Sequence, residues 1–381
     1  MRTSSSTRTR RLLVLFDGDF VGGAEVNYLY ALPELDELDV ETRIAAPGAV
    51  ALESYFDAFD IDAKVLPVLQ PYRSFSAGGR IAPLNLAVSY WALRKNLETL
   101  KKIILDYRPQ WIVSNAMISH LLLAHVAPYA RRSGVTTVVH LQDIVDRSKG
   151  LGAYGIGLDW IVSRVDHVIS ISNAVSATLP RLPSTKVTRL VNPVATGRRS
   201  RGQERDILRV GMFARYTPWK GHDDFLKIAE SCSAERIEFV SHGNVSIDDR
   251  HYFEAIRTAA AQLPNAEGVR INGFTANVLP AMAGCDVVLH LSRQPEPFGR
   301  ILIEANAVGV PVFAYRGGGV DETFREFNLA GLLFDNGDWQ TVTSRLLRFR
   351  DYRYIIPDLS HLEPSQYARR LMNLLEDIRP K

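Results

Sequence analysis

With only two cysteines in 381 residues, the chain has no disulfide framework to build. Both, Cys232 and Cys285, lie at the edge of apolar segments, which fits a reducing compartment and a cytoplasmic location. Net charge is nearly absent too: 45 basic residues are offset by 42 acidic ones, leaving +3, too little for a general nucleic-acid binder. No uninterrupted apolar run reaches membrane-spanning length. The most apolar window, residues 111–130 (WIVSNAMISHLLLAHVAPYA), is broken by Ser114, Asn115, Ser119, His120, His125 and Pro128, and reads as a buried strand followed by a buried helix. No repeat with a period of about 20 to 50 residues is present, which excludes solenoids and propellers.

What is present is an ordinary globular composition, 46% hydrophobic and 23% charged, over a length that suggests two domains. Residues 1–11 (MRTSSSTRTRR) carry four arginines and no acid, and read as a disordered tail outside the fold. Behind them, short apolar runs at 12–16, 42–46, 111–114, 136–141, 167–172 and 187–191 alternate with helical patterns at 24–32, 82–107, 118–132 and 173–182. The runs are continuous, not alternating, as in parallel sheets covered on both faces. Residues 192–205 (NPVATGRRSRGQER) turn polar and basic, a linker. The alternation restarts with strands at 208–214, 237–241, 269–272, 286–291, 311–315 and 332–334. The expectation is an α/β protein of two tandem doubly wound Rossmann-like domains, residues 12–193 and 207–362, joined by a linker at 194–206. Ligands of such sheets bind beyond the carboxyl ends of the strands, so the cleft between facing domains is the expected site.

Three segments carry chemistry. Residues 17–25 (DGDFVGGAE) follow the first strand, and Gly22 and Gly23 let the backbone approach a ligand where a helix aims its N–H groups. An anion cradle and a plain strand-to-helix turn are both open readings. The segment is not a dinucleotide fingerprint, so NAD is disfavoured, and Asp17 with Asp19 reads better as a chance pair than as a metal site. Residues 213–221 (FARYTPWKG) place Arg215 and Lys220 around a turn at a strand's carboxyl end, either as solvated cations or as a diphosphate clamp, and the position favours the clamp. In residues 295–324 (PEPFGRILIEANAVGVPVFAYRGGGVDETF), Glu296 precedes a helix opened by Gly299 and Glu304 lies on its second turn; Gly317, Gly318 and Gly319 then follow a strand. The glutamates read equally as hydroxyl acceptors or as a dipole-favoured carboxylate plus a solvated one, and the glycines as a second anion cradle.

Taken in order, GGAE, R-x4-KG, EPFG-x4-EA-x3-G-x-PV and GGGVDE resemble the retaining glycosyltransferases of family 4, with the GT-B fold, from residue 12 to about residue 378. The resemblance implies a hexosyl- or N-acetylhexosaminyl-transferase that uses a nucleotide-diphosphate sugar and needs no cofactor and no metal. Arg215 and Lys220 would hold the diphosphate, Glu304 the ribose, and Glu296 the donor sugar with Phe298 and Gly299 beside it. Gly318 and Gly319 would offer N–H groups to the sugar and phosphate, Gly22 and Gly23 would face the phosphate and acceptor, and His140 would lie near the reacting sugar. The last amphipathic segment, within residues 363–381, would cross back to the first domain. Two departures stand out: Ser241, His242, Gly243 and Asn244 replace a G-x-G, and Phe213 and Ala214 precede the first cation. A sugar-nucleotide epimerase and a non-catalytic nucleotide-sugar sensor are the alternatives.

The resemblance implies a saccharide, lipid-linked or small-molecule acceptor and no nucleic acid. Residues 90–102 (YWALRKNLETLKK) set Arg94, Lys95, Lys101 and Lys102 beside Tyr90 and Trp91. This reads as a peripheral contact with an anionic membrane or as an ordinary amphipathic helix with its aromatics in the core.

Overall fold

A computed structural model describes residues 10–17, 23–46, 64–67, 83–150, 152–180, 182–195, 206–246, 248–275 and 278–378. The chain divides into two compact units, residues 1–193 with 364–381 and residues 194–363.

The first unit is built on a seven-stranded sheet in the order β3-β2-β1-β4-β5-β6-β7. The strands are β1 Arg10–Leu15, β2 Val40–Ala46, β3 Lys64–Pro67, β4 Trp111–Ser114, β5 Thr136–Leu141, β6 His167–Ser170 and β7 Val187–Arg189. Every pairing is parallel, and the order reverses between β1 and β4. Both faces are covered by helices, which is why the central strands carry apolar side chains on both faces: Leu12 to Leu15, Ile112, Val113, Val138 and Val139 are all fully buried. The helices are α1 Gly23–Glu37, α2 Pro83–Tyr107, α3 Met117–Arg132, α4 Ala153–Arg164 and α5 Asn173–Ser176.

Three expectations need correction. Arg10 and Arg11 belong to β1, not to a tail; residues 1–9 lie outside the described residues. The Arg10 guanidinium meets Glu376 at 2.7 Å, and the Arg11 backbone N–H donates to Gln110 Oε1 at 2.6 Å, so a basic start is compatible with strand pairing once those partners arrive from distant sequence. The pattern at 173–182 gives only one helical turn, capped by Ser172, whose hydroxyl accepts from the Val175 N–H. Finally, β3 and α4 had no counterpart among the expected elements; β3 is a four-residue edge strand.

The second unit holds six parallel strands in the order β10-β9-β8-β11-β12-β13. They are β8 Leu208–Phe213, β9 Ile237–His242, β10 Val269–Asn272, β11 Val287–His290, β12 Val312–Tyr315 and β13 Gly331–Phe334. The helices of this stretch are α6 His222–Ser231, α7 Arg250–Ala261, α8 Val278–Ala283, α9 Arg300–Ala307, α10 Val320–Glu326 and α11 Trp339–Leu347.

The final helix, α12 Pro364–Asp377, returns to the first unit. Its apolar stripe, Tyr367, Leu371, Met372 and Leu375, joins the core cluster of Leu12, Tyr28, Leu29 and Leu32. The Trp111 indole N–H donates to the Leu375 carbonyl at 2.7 Å. The outgoing and returning chain segments are tied together, with the Val194 N–H donating to the Leu362 carbonyl at 2.9 Å. Among the described residues no helix is long and apolar enough to cross a membrane.

Leu371 has no exposed surface, so Leu371→Ala should cost about 2–5 kcal/mol, read by urea unfolding. A loss under about 1 kcal/mol would contradict the placement of α12 in this core.

Candidate functional site

In the second unit the strand order reverses between β8 and β11, the position where open parallel sheets form a crevice at their carboxyl ends. The segments that follow these two strands are the ones that carry Lys220 and Glu296.

Beyond β8 the chain continues alongside the end of β9: Ala214 N–H donates to His242 C=O and Tyr216 N–H to Asn244 C=O, each at 3.0 Å. The approach is so close that a Cβ on Gly243 would lie 1.9 Å from the Ala214 oxygen. The departures from the usual motif fit each other here, because the His242 ring stacks on Phe213 at 5.7 Å with 6° between planes. Tyr216, fully buried, sits where its hydroxyl reaches Ser241 Oγ at 2.9 Å and the Asn272 carbonyl at 2.8 Å.

The chain then makes one tight helical turn, Pro218–Lys220, and passes through Gly221 at φ +84° into α6. A side chain at Gly221 would meet the Leu291 carbonyl at 2.1 Å, so only glycine lets this turn lie against the segment after β11. Arg293 N–H donating to the Trp219 carbonyl at 2.7 Å completes the contact. Lys220 Nζ lies 4.1 Å from the Trp219 ring centroid and forms an ion pair with Glu296 Oε1. The Ser292 hydroxyl donates to the same oxygen, and His290 Nε2 is 3.7 Å from it.

Glu296 is 7% exposed. Burial pushes its carboxyl up, but the Lys220 charge and the hydrogen bonds from Lys220 and Ser292 outweigh that and hold its pKa below the usual value. His290 is pushed down to about 4, chiefly by burial, so it is neutral at neutral pH, and Lys220 is the cation that keeps Glu296 ionised there. The Glu296 main chain is equally committed. It forms a parallel bridge with Gly318, and its carbonyl accepts from Gly319 N–H at 2.7 Å. This corrects the expectation that Gly319 offers its N–H to a phosphate: that donor is occupied, while the Gly318 N–H has no acceptor among the described residues.

Gly299, at φ +82°, opens α9. The Phe298 side chain is 4% exposed and packs edge-on to Phe327, so it anchors the segment and does not line a surface. Glu304, 4% exposed, takes Arg300 Nε on Oε1 at 2.5 Å. Arg215 is exposed, and its side chain has no ion-pair partner among the described residues.

At the carboxyl edge of the first unit, His140 is fully buried, with Nδ1 2.8 Å from the Tyr28 hydroxyl. Burial pushes it down to about 3, and Nε2 has no hydrogen-bond partner among the described residues. Asp17 caps α3, accepting from the Ile118 N–H at 2.6 Å and from the Ser119 N–H, a structural role for one member of the Asp17, Asp19 pair. Asp19 and Gly22 lie outside the described residues. Gly23 opens α1 with nothing within 4 Å of where a Cβ would be. No group of three or more His, Cys, Asp and Glu among the described residues is arranged to hold a metal.

Several groups escaped sequence reading. His290 and Ser292 converge on Glu296, and their only signal is polarity at the end of the apolar run of β11. In the first unit Gln142 Oε1 accepts from both Asn27 Nδ2 and Asn192 Nδ2 at 3.0 Å, a pattern with no local spacing to reveal it.

The model of the family described as "Glycosyl transferases group 1" matches residues 198–353, most of the second unit. No curated protein matches in sequence. Among solved structures, HepE of Anabaena in complex with UDP and glucose is 19% identical with a TM-score of 0.69 over 97% of this chain and 96% of that one. The chain has the GT-B fold. The apo lipopolysaccharide outer core galactosyltransferase WaaB is 15% identical, TM-score 0.67, over 96% and 99% of the two chains. A mutant of S. aureus TarM in complex with Fondaparinux, alpha-GlcNAc-glycerol and UDP is 12% identical, TM-score 0.68, over 97% of each.

Burial pushes His120, His140 and His222 down to about 3, with Lys220 adding to the effect at His222. Because these rings stay neutral in the fold and take up protons once unfolded, stability is complete above about pH 6.5 and falls as pH drops towards their folded values. His222→Phe, which keeps the stack on Tyr216 at 4.3 Å, should flatten stability against pH between about 6 and 4 by ~1.4 kcal/mol per pH unit in denaturant titrations. An unchanged slope would show that His222 is protonated in the fold.

Proposed function

We propose that the chain is a retaining glycosyltransferase that moves a hexosyl or N-acetylhexosaminyl group from a nucleoside-diphosphate sugar to a hydroxyl of a saccharide, lipid-linked or small-molecule acceptor. The observation that carries the reading is the Lys220–Glu296 pair at the switch point of the second sheet, backed by Gly318 and preceded by the uncommitted Arg215.

In this reading Arg215 and Lys220 hold the diphosphate. They offset the charge that grows on it as the glycosidic bond breaks, so no metal or cofactor is required. The contacts of Glu296 with Lys220, Ser292 and His290 all fall on Oε1, which leaves Oε2 to accept from donor-sugar hydroxyls. Glu304, held by Arg300 on one oxygen, offers the other to the ribose. Gly318 supplies an N–H to the donor. The leaving phosphate takes the acceptor proton on the same face of the sugar, so no protein base is assigned. The UDP named in the HepE and TarM complexes supports UDP as the first nucleotide to test. The α2 face with Trp91 54% exposed beside Arg94, Lys95, Lys101 and Lys102 is where this reading puts a peripheral contact with anionic lipid; co-sedimentation with phosphatidylglycerol vesicles that fails at low salt would remove that contact.

Thermal shifts with UDP, GDP, dTDP and ADP should show one of them stabilising the wild type. Arg215→Ala with Lys220→Ala should abolish most of that shift and lower kcat/KM at least about 100-fold. Chelators should leave turnover intact, and the product should keep the donor's anomeric configuration. An inverted product, or epimerised donor formed without acceptor, sinks the reading.

A further inference from the structure

The strongest unexplained feature lies in the first unit, where four buried polar side chains at the carboxyl edge of the sheet hold atoms with no partner among the described residues. Asn115, fully buried, has neither its Oδ1 nor its Nδ2 hydrogen-bonded to any described residue. His140 Nε2, Gln142 Nε2 and Asn192 Oδ1 are likewise unpartnered, on residues no more than 5% exposed. Buried polar atoms without partners are uncommon and costly, so a cluster of them suits a hydrogen-bonding guest from outside the chain.

The register brings them together. Ser114 pairs with Val139, so Asn115 stands alongside His140. Gln142, two residues past His140, emerges on the same face, the face covered by α1, since Tyr28 reaches His140 and Asn27 reaches Gln142. Because Asn27 and Asn192 both donate to Gln142 Oε1, the orientation of that amide is fixed and its Nε2 is turned away from them.

The chemistry of the set is mixed and neutral: amide N–H donors, amide oxygens and an unprotonated imidazole. Hydroxyl groups, which both donate and accept, match such a surface, whereas an anion would face unpaired oxygens with no compensating charge. Among the described residues, Asp17 after β1 and the buried Glu25 at the start of α1 place acidic groups at this edge. On the segment after β5, Arg147 is committed to Asp159 through two bonds of 2.7 and 2.8 Å.

We infer that Asn115, Gln142 and Asn192, with His140 Nε2, bind the uncharged, hydroxyl-bearing portion of the acceptor and reject phosphorylated or carboxylated sugars there. That this ligand is the acceptor rests on the proposed transfer reaction; that the edge binds a neutral polyol does not.

The test is saturation-transfer NMR on the full chain, without nucleotide, using methyl glucoside, methyl galactoside, maltose and lactose against glucose 6-phosphate, galactose 6-phosphate and glucuronate. At least one neutral sugar should bind, with its anionic counterpart at least about 10-fold weaker. Asn115→Ala, which removes no side-chain bond to a described residue, and Gln142→Glu, which keeps the accepting oxygen and replaces only Nε2, should each weaken it about 10-fold or more. UDP affinity, measured separately, should stay within about 2-fold in both variants. Should Gln142→Glu fail to fold, Asn115→Ala decides. Failure of every neutral sugar to bind, tighter binding of an anionic one, or wild-type binding by the variants overturns the inference. Failure of the wild type to bind any nucleoside diphosphate overturns the transferase reading alone.

Discussion

Two loops of the second unit can lie together only because a lysine and a glutamate meet between them. An enclosed carboxylate without a cation would carry a desolvation cost of several kcal/mol, and Lys220 supplies the charge. That pairing obliges the 217–221 turn to rest on the segment after β11, which the bare Cα of Gly221 allows against the Leu291 carbonyl. The same glutamate reaches a third loop through its backbone, by the bridge to Gly318 and the bond from Gly319. A residue whose side chain and main chain hold three loops is set in position before any ligand arrives, which is the condition for electrostatic preorganisation.

The two sheets place different chemistry at the same topological edge. In the second unit the edge is charged, with Lys220, Glu296 and the exposed Arg215. In the first unit it is amide-rich, with acidic groups at Asp17 and Glu25, and His140 is kept neutral by burial. A phosphate-bearing partner suits the former and a hydroxyl-bearing one the latter, so division of labour follows from local dielectric and charge, although the scaffolds are alike.

Most strands of both sheets were legible because a parallel strand covered on both faces carries a largely apolar run, and the runs at 111–114 and 311–315 match β4 and β12. What failed had physical causes. The basic residues at the start of β1 disguise a strand whose partners, Gln110 and Glu376, are remote in sequence. The short edge strand β3 ends in Pro67, a residue that argues against a strand in sequence and is tolerated at a sheet edge. At the site, spacing revealed Glu296 and Lys220 but not that they pair, and Gly319 looked like a free donor until its partner carbonyl was placed. The amides of Asn27, Gln142 and Asn192 are joined only by the folded sheet and α1.

The return of α12 to the first unit has a consequence for synthesis on the ribosome. Residues 194–363 form a continuous stretch with their own sheet and core, whereas the first unit lacks Tyr367, Leu371 and Leu375 until the last helix is made. Domains ordinarily fold in the order of translation. Here the earlier-made half must wait with part of the surface of α1 uncovered while the later half completes itself, so the interval before α12 emerges is when the nascent chain most needs protection from aggregation.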